Sequence, residues 1–323
     1  MARDKDDFII TPDMEGRINK ELAKKKTKIK TSFGDKIISV VTYTVYALFA
    51  FVCLYPFYYI FINTISANDL SAAGEVILIP KGIHFNNYKQ VFGIENIFHA
   101  TFISVARTVI GTVTVVVSSS FLGYMFTKES LWHRKLWYRL VTATMYINAG
   151  LIPWFLTMND LNLRNNFLGY ILPVAISPFY IVLCKTFIES IPKELSEAAE
   201  IDGAGTLRIF YKIIIPVIKP ILATVALFTA VSQWNAFQDT VLLVNDKKLY
   251  TLQFILYEKI SQASSAATAV NGSSSAATSV AVTATTMSIK MTVTMVVVLP
   301  IMLIYPFFQK YFTKGIMIGA VKG

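Results

Sequence analysis

The sequence contains little charge for its length. Asp, Glu, Lys and Arg make up only 15% of its 323 residues, whereas 54% are hydrophobic and 13% are aromatic. A soluble domain usually carries about 25% charged residues. The charge that is present is concentrated in residues 1–36 and at the ends of long apolar runs. This distribution argues against a soluble globular protein and predicts one polytopic membrane domain after a basic N-terminal segment.

Cysteine and histidine are also scarce. Cys53 and Cys184 lie in separate apolar runs and give neither a disulfide framework nor metal-ligand spacing. The three histidines are far apart in the sequence. The dipeptide Gly-Lys never occurs, so the chain has no Walker-type phosphate loop. We therefore expect no metal site, no catalytic site and no nucleotide site in this chain.

Six apolar segments are long enough to cross a bilayer, since a spanning helix needs roughly 20 apolar residues. Gly150 and Pro153 in the third segment, and Pro173 and Pro178 in the fourth, are expected to kink or break the helix locally. We therefore predict an all-α integral membrane fold with about six transmembrane helices. The predicted spans are residues 37–62, 99–126, 137–158, 167–188, 220–244 and 287–308.

The basic residues indicate how the spans are oriented. Most of the Lys and Arg lie in residues 1–36, 128–135 and 189–219 and in the C-terminal tail. An even number of spans puts all four segments on one side, and the positive-inside bias makes that side cytoplasmic. The net charge of +10 then sets orientation and does not imply nucleic acid as a partner. The polar segments 63–98 and 245–286 are expected outside, with the Ser/Ala/Thr-rich tract 262–286 as an exposed, mobile connection.

Residues 189–219, which we call the coupling segment, have the pattern of a helix, a break and a second helix. Pro192 suits a first helical turn, and Glu194 and Glu197 favour the positive end of the helix dipole. Gly203 and Gly205 are expected to end that helix. A second short apolar face is predicted from Leu207, Phe210 and Ile214. A short helix that is small on one side and turned sharply at Gly203 suits a groove on a partner protein.

The coupling segment resembles the EAA loop of ABC importer permeases. That loop reads Glu-Ala-Ala, three residues, Gly, nine residues, Ile, one residue, an aliphatic residue and Pro. The matching residues are Glu197, Ala198, Ala199, Gly203, Ile213, Ile215 and Pro216, where Ile215 replaces the family's usual Leu. Residues 192–195, 201–204, 233–235, 305–312 and 314–319 are similar to the maltose-type carbohydrate branch, and most similar to its oligosaccharide and lipo-oligosaccharide permeases. The resemblance covers residues from about 37 to 323.

This resemblance implies a permease with the type I ABC importer fold, which is not itself an enzyme. It implies ATPase coupling through Glu197, Ala198, Ala199, Asp202, Gly203, Ala204 and Pro216. The implied partners are a second, homologous permease in a heterodimer, two subunits that bind ATP-Mg, an extracellular solute-binding protein, a carbohydrate and membrane lipid. The implied location is the bacterial plasma membrane, with both termini cytoplasmic.

Polar and aromatic side chains at membrane depth are the candidates for contact with the carbohydrate. They are Gln233, Trp234, Asn235, Gln238 and Asp239 in the fifth predicted span, and Tyr146 and Asn148 in the third. For the fifth span the alternative is interhelical hydrogen bonding, and for the third it is helix packing. Arg107 is expected to extend its side chain to the membrane interface; a pair with Asp239 and contact with an anionic substrate are the alternatives.

Three other functional classes fit an apolar chain. A self-contained secondary transporter would contain inverted repeats and paired broken helices, and we find no convincing repeat. An intramembrane enzyme would need a catalytic constellation inside the spans, and none is visible. A membrane anchor or scaffold would leave the coupling segment without a role.

Overall fold

The structure is a computed structural model that describes residues 33–270, 286–304 and 306, without the side chains of residues 263–270. Regular structure in this part of the chain is helical. The chain divides into two compact units, residues 1–56 and residues 57–323. Most of the predicted N-terminal segment, residues 271–285 of the Ser/Ala/Thr-rich tract and nearly all of the C-terminal tail lie outside the described residues.

The α-helices are α1 (Phe33–Thr64), α2 (Asn68–Ala72), α3 (Asn86–Phe92), α4 (Ile97–Met125), α5 (Arg134–Ala143), α6 (Leu151–Asp160), α7 (Pro178–Glu189), α8 (Glu194–Ile201), α9 (Thr206–Ile209), α10 (Ile215–Val217), α11 (Lys219–Asn235), α12 (Gln238–Leu243), α13 (Leu252–Val270) and α14 (Thr286–Ile304). Short 3₁₀ turns cover Phe167–Tyr170, Leu172–Val174 and Lys247–Leu249, and a π-turn covers Phe210–Ile214.

Within the described residues, three helices are long and apolar enough to cross a membrane: α1, α4 and α14. Two bent pairs raise the number to as many as five: residues 167–174 with α7, bent by 47°, and residues 206–217 with α11, bent by 80°. The third predicted span consists of two helices of 10 residues each, α5 and α6. The chain is interrupted before α6 at Gly150, whose φ is +86°, so the predicted break in this region is confirmed.

Helix α4 forms the centre of the second unit, where α11 and α7 pack against it. Two glycines allow this close approach. A Cβ atom at Gly111 would lie 2.7 Å from Nε2 of Gln233 on α11, and one at Gly123 would lie 2.9 Å from Cβ of Cys184 on α7. Val115, Cys184 and Val225 fill the space between these contacts. Small residues on α4 therefore bring helices from distant parts of the chain together.

Buried hydrogen bonds fold the segment between α1 and α3 onto the end of α1. Asn63 Nδ2 donates to the Val76 carbonyl at 3.2 Å, and Ser71 Oγ donates to Asn63 Oδ1 at 2.7 Å. Asn87 Nδ2 donates to the Thr64 carbonyl at 3.0 Å. The predicted polar segment 63–98 is thus an ordered structure of short helices and turns held by amide side chains.

Candidate functional site

The coupling segment begins with α8, which ends as predicted at Gly203. The Gly203 N–H donates to the Glu200 carbonyl at 3.0 Å, and the Ala204 N–H donates to the Ala199 carbonyl at 2.9 Å. These two bonds are the Schellman pattern, in which the residue after the helix cap is left-handed. Gly203 has the required φ of +77°. The chain therefore turns away from α8 without a side chain at the turn.

The second part of the coupling segment is anchored in the protein core. Phe210 and Ile214 are buried as part of a cluster that includes Tyr124 at the end of α4. The Phe210 ring stacks on the Tyr124 ring with centroids 5.2 Å apart. Ala199 and Ala204 pack at the edge of the same cluster.

The predicted apolar face of this second part is wrong at one position. Leu207 is 58% exposed, and Ile209 is buried instead. The π-turn over Phe210–Ile214 brings residues five apart, Ile209 and Ile214, to one face, so Ile209 joins the buried cluster. The predicted spacing assumed a regular α-helix.

An ion pair also joins α8 to the loop after α4. Lys128 Nζ lies 2.6 Å from Glu200 Oε1 and 5.2 Å from the centre of the Tyr124 ring. Burial lowers the pKa of Lys128, but its hydrogen bonds with Glu200 and Tyr124 raise that pKa, and the net pKa lies above the usual value. Lys128 therefore stays charged at neutral pH, and α8 is held by this pair as well as by its apolar contacts.

The outer face of the coupling segment has exposed apolar side chains. Ile201 at the end of α8 is 87% exposed, and Leu195, Leu207 and Tyr211 are exposed too. Of the residues predicted to couple to an ATPase, Glu197, Ala198, Asp202, Gly203 and Pro216 are exposed, while Ala199 and Ala204 are half-buried. Apolar side chains exposed together on a segment rich in charged residues indicate a protein interface.

A second site surrounds Arg107 on α4, and here the predicted interfacial position of Arg107 is wrong. Its side chain is only 2% exposed. Nε donates to Gln233 Oε1 at 2.8 Å, and Nη1 donates to the Ala236 carbonyl at 3.2 Å and to Asp239 Oδ1 at 3.0 Å. Nη2 pairs with Asp239 Oδ2. The alternative, a pair with Asp239, is confirmed, because a buried guanidinium needs acceptors that replace its hydration.

Tyr170 extends this network to further elements. The Arg107 guanidinium lies 4.6 Å from the centre of the Tyr170 ring. The Tyr170 hydroxyl accepts from Thr240 Oγ1 at 3.1 Å and donates to the Leu249 carbonyl at 2.7 Å. Sequence reasoning missed Tyr170 and Thr240, since nothing local marks a tyrosine that will cover a distant arginine.

A groove with a volume of about 510 Å³ lies beside this network, between α6 and the junction of α11 and α12. Three of the predicted substrate residues line it: Asn235, Gln238 and Asp239. Trp154 and Ser232 line it as well. The groove therefore combines amide, carboxylate and hydroxyl groups with an aromatic side chain.

The other predicted substrate residues lie elsewhere. Gln233 is buried against Arg107, and Trp234 is buried with its Nε1 donating to the Val297 carbonyl at 3.0 Å. Both make the interhelical hydrogen bonds that were the alternative for this span. Tyr146 is exposed, and Asn148 Oδ1 accepts from the Gly150 N–H at 2.9 Å in the break before α6.

Comparison with known proteins gives consistent matches over most of the chain. The family described as "Binding-protein-dependent transport system inner membrane component" matches residues 29–318. The chain is 32% identical over 289 residues to the polygalacturonan/rhamnogalacturonan transport system permease protein YtcP of Bacillus subtilis, covering 90% of this chain and 99% of that protein. It is 34% identical over 272 residues to protein LplC of the same organism, covering 84% and 90%.

A solved structure matches as well. It is a chain from the crystal structure of a bacterial ABC transporter involved in the import of the acidic polysaccharide alginate. The TM-score is 0.72 and the sequence identity is 30%, over 87% of this chain and 98% of that chain.

Proposed function

Because this chain belongs to the family of binding-protein-dependent transport system inner membrane components, as a sugar ABC transporter permease, we propose that it forms half of the translocation pathway of an ATP-driven importer. The cargo is a carbohydrate, and an oligosaccharide fits best. The chain itself is a multi-pass membrane protein. Its role is to carry the pathway and to transmit movement from a separate ATPase subunit.

The observation that carries the coupling role is the geometry at the end of α8. The Schellman turn at Gly203 leaves Ile201 exposed on the outer face, while Phe210 and the Lys128–Glu200 pair hold the segment to α4 and its loop. An apolar side chain presented on an anchored short helix fits a groove on a partner. Some residues are proposed to contact the ATPase subunit and others to shape the surface that does. They are Glu197, Ala198, Ala199, Asp202, Gly203, Ala204 and Pro216.

The proposed assembly contains several partners. We propose that two ATPase subunits bind ATP-Mg, and we assign no cofactor to this chain. A second, homologous permease, preferably a different chain, completes the pathway, and an extracellular solute-binding protein delivers the sugar to the side of segments 63–98 and 245–286. The positive-inside bias places the coupling segment and both termini in the cytoplasm of a bacterium.

The groove is the proposed place of contact with the sugar. Asn235, Gln238 and Asp239 offer hydrogen-bonding groups, and the Trp154 ring offers an apolar face on which a sugar ring can stack. Gln233 and Trp234 connect α11 to α4 and α14 through their hydrogen bonds, and Tyr146 and Asn148 border the break before α6. The relatives' names refer to polygalacturonan/rhamnogalacturonan and to alginate, which supports a carbohydrate as the cargo class.

Purification of the tagged chain in mild detergent from its native membrane tests the coupling role. We expect an ATPase subunit to co-purify with the wild-type chain and to be largely lost from Ile201→Ser, because the exposed side chain has no packing role in the chain itself. Ile79→Ser is the matched control, since Ile79 is also an isoleucine and is 72% exposed, in the segment between α1 and α3.

Equal ATPase recovery from wild type and Ile201→Ser would argue against docking through α8. A chain that purifies alone, stays folded and transports solute by itself in vesicles would contradict the importer proposal altogether. That result would favour the self-contained secondary transporter.

A further inference from the structure

The groove contains one carboxylate and no counter-charge of its own. Among the described residues that line it, Asp239 is the only one with a charged side chain. The Asp239 side chain is 18% exposed, whereas the Arg107 side chain that neutralises it is 2% exposed. A molecule in the groove therefore meets the edge of a carboxylate while the guanidinium is hidden behind it.

The Arg107 side chain is almost completely enclosed by protein groups. All three of its nitrogens donate to protein acceptors: Gln233, Ala236 and Asp239. The Tyr170 ring lies 4.6 Å from its central carbon. Contact between Arg107 and an anionic substrate, which the sequence leaves open, would require breaking the pair with Asp239 and leaving that charge unpaired in the interior.

The remaining polar groups of the groove are neutral. Asn235 and Gln238 carry amides and Ser232 carries a hydroxyl. Sugar hydroxyls can donate to the accessible edge of the Asp239 carboxylate and exchange hydrogen bonds with these amides. A uronic acid carboxylate in the same position would approach the Arg107–Asp239 ion pair from its negative end, because Asp239 lines the groove and Arg107 does not. In surroundings less polar than water the resulting repulsion is stronger.

We infer that the wall of the groove around Asp239 binds an uncharged, hydroxyl-bearing part of the sugar chain. Asp239 is then the specificity-determining residue that excludes uronate carboxylates from this wall. The inference rests on the proposed function of the groove. Arg107 acts as the positioning residue that keeps the Asp239 carboxylate in place. The groove then distinguishes neutral sugars from uronates by repulsion from Asp239 as well as by attractive hydrogen bonds.

The test uses the purified transporter complex in detergent. The solute-binding protein is left out, so that only the permease pathway can distinguish one sugar from another. The probes are three neutral trisaccharides, one each of galactose, glucose and mannose units. Each is paired with its uronic acid counterpart, which differs only in the oxidation of C6. Saturation-transfer NMR titrations give Kd for each member of a pair. We expect a neutral trisaccharide to bind at least about fivefold more tightly than its uronate.

Two variants should change this ratio. Gln238→Lys adds a cation at an exposed position in the groove and leaves the Arg107–Asp239 pair intact, so the uronate should gain about fivefold. Gln90→Lys is the matched control, because Gln90 is exposed on α3 and does not line the groove. Asp239→Asn should also favour the uronate, since it leaves the charge of Arg107 without a counter-ion beside the groove.

Equal binding of both sugars by the wild type, tighter binding of the uronate, or an unchanged ratio in Gln238→Lys would overturn the inference alone. Absence of saturable binding by every trisaccharide would overturn the proposed role of the groove and the inference with it. Loss of the ATPase from the Ile201→Ser complex tests the coupling role independently of either result.

Discussion

At the scale of single residues, Arg107 and Asp239 depend on each other. We expect Asp239→Leu to destabilise the protein by roughly 3 kcal/mol, because it leaves a buried guanidinium without its main acceptor. Arg107→Leu should be similarly harmful. Replacing both residues with Leu removes both charges and should recover most of the loss.

Thermal unfolding in detergent, followed for the two single variants and the double variant, measures this coupling. Costs that simply add in the double variant would mean that the two charges do not stabilise each other.

Gly203 is the second residue with a specific requirement. Gly203→Asn should be tolerated and Gly203→Val should not, because asparagine enters the left-handed region far more readily than a β-branched residue. The φ of +77° is the only obstacle, since a Cβ atom there would meet nothing within 4 Å. We expect a cost of about 1–2 kcal/mol for Val, together with reduced ATPase recovery.

Co-purification of the ATPase with the Asn and Val variants, alongside their thermal stability, checks this. Equal recovery with both would show that the conformation of the turn does not matter for docking.

Residue identities alone predicted part of the candidate site. Asn235, Gln238 and Asp239 could be selected because polar groups are expensive in an apolar run, and they do line the groove. The same argument does not distinguish them from Gln233 and Trp234, which face neighbouring helices. The side of a helix that faces a groove is decided by packing against chain segments more than 60 residues away.

At the scale of elements, the Lys128–Glu200 pair connects α8 to the loop after α4. Glu200 is about half exposed, so breaking the pair should change stability by no more than about 1 kcal/mol. We nevertheless expect Glu200→Lys to reduce the sugar transported per ATP hydrolysed, because α8 can then move without its anchor. The swap Lys128→Glu with Glu200→Lys should restore much of this coupling.

Transport and ATPase rates measured together in vesicles test this prediction. We expect the stabilising effect of the Lys128–Glu200 pair to stay constant across the neutral pH range of such assays. The pKa of Lys128 is raised above its usual 10.5, so the stabilising contribution is complete below that value and is lost only as the pH rises further. Unchanged coupling in Glu200→Lys would assign α8 anchoring to the apolar cluster alone.

Local chemistry explains why α8 was predictable and the following turn was not. The acidic first turn, the small residues and Gly203 act within a few residues of one another, and each favours the same helix and the same end. The π-turn at Phe210–Ile214 depends instead on the fit of Phe210 against Tyr124, which is 86 positions earlier in the sequence. The prediction assumed a regular α-helix and therefore missed the burial of Ile209.

At the scale of the whole molecule, composition was enough to predict the class of fold. Long uncharged runs and basic flanks can hardly form anything other than a helical membrane protein. The division of the fifth predicted span into α11 and α12 is a tertiary feature, because Arg107 on α4 bonds to the Ala236 carbonyl between them.

Sidedness gives a prediction at this scale. In a background in which Cys53 and Cys184 are replaced by Ala, Gln90→Cys should react with a membrane-impermeant maleimide from outside intact cells. Lys193→Cys, at the start of the coupling segment, should react only after the membrane is opened. Both positions are exposed, so access decides the result. Labelling of Lys193→Cys in intact cells would reverse the proposed orientation.

The pairing of Arg107 with Asp239 also restricts how the chain can evolve. The two residues are 132 positions apart, so one mutational event rarely changes both, and each single change passes through a chain with an unbalanced buried charge. A lineage that adapts this groove to an acidic cargo therefore has an easier route through a neighbouring position such as Gln238 than through Asp239 itself. Selection for transport of a different carbohydrate would first change residues at the rim of the groove, and the Arg107–Asp239 ion pair would stay unchanged.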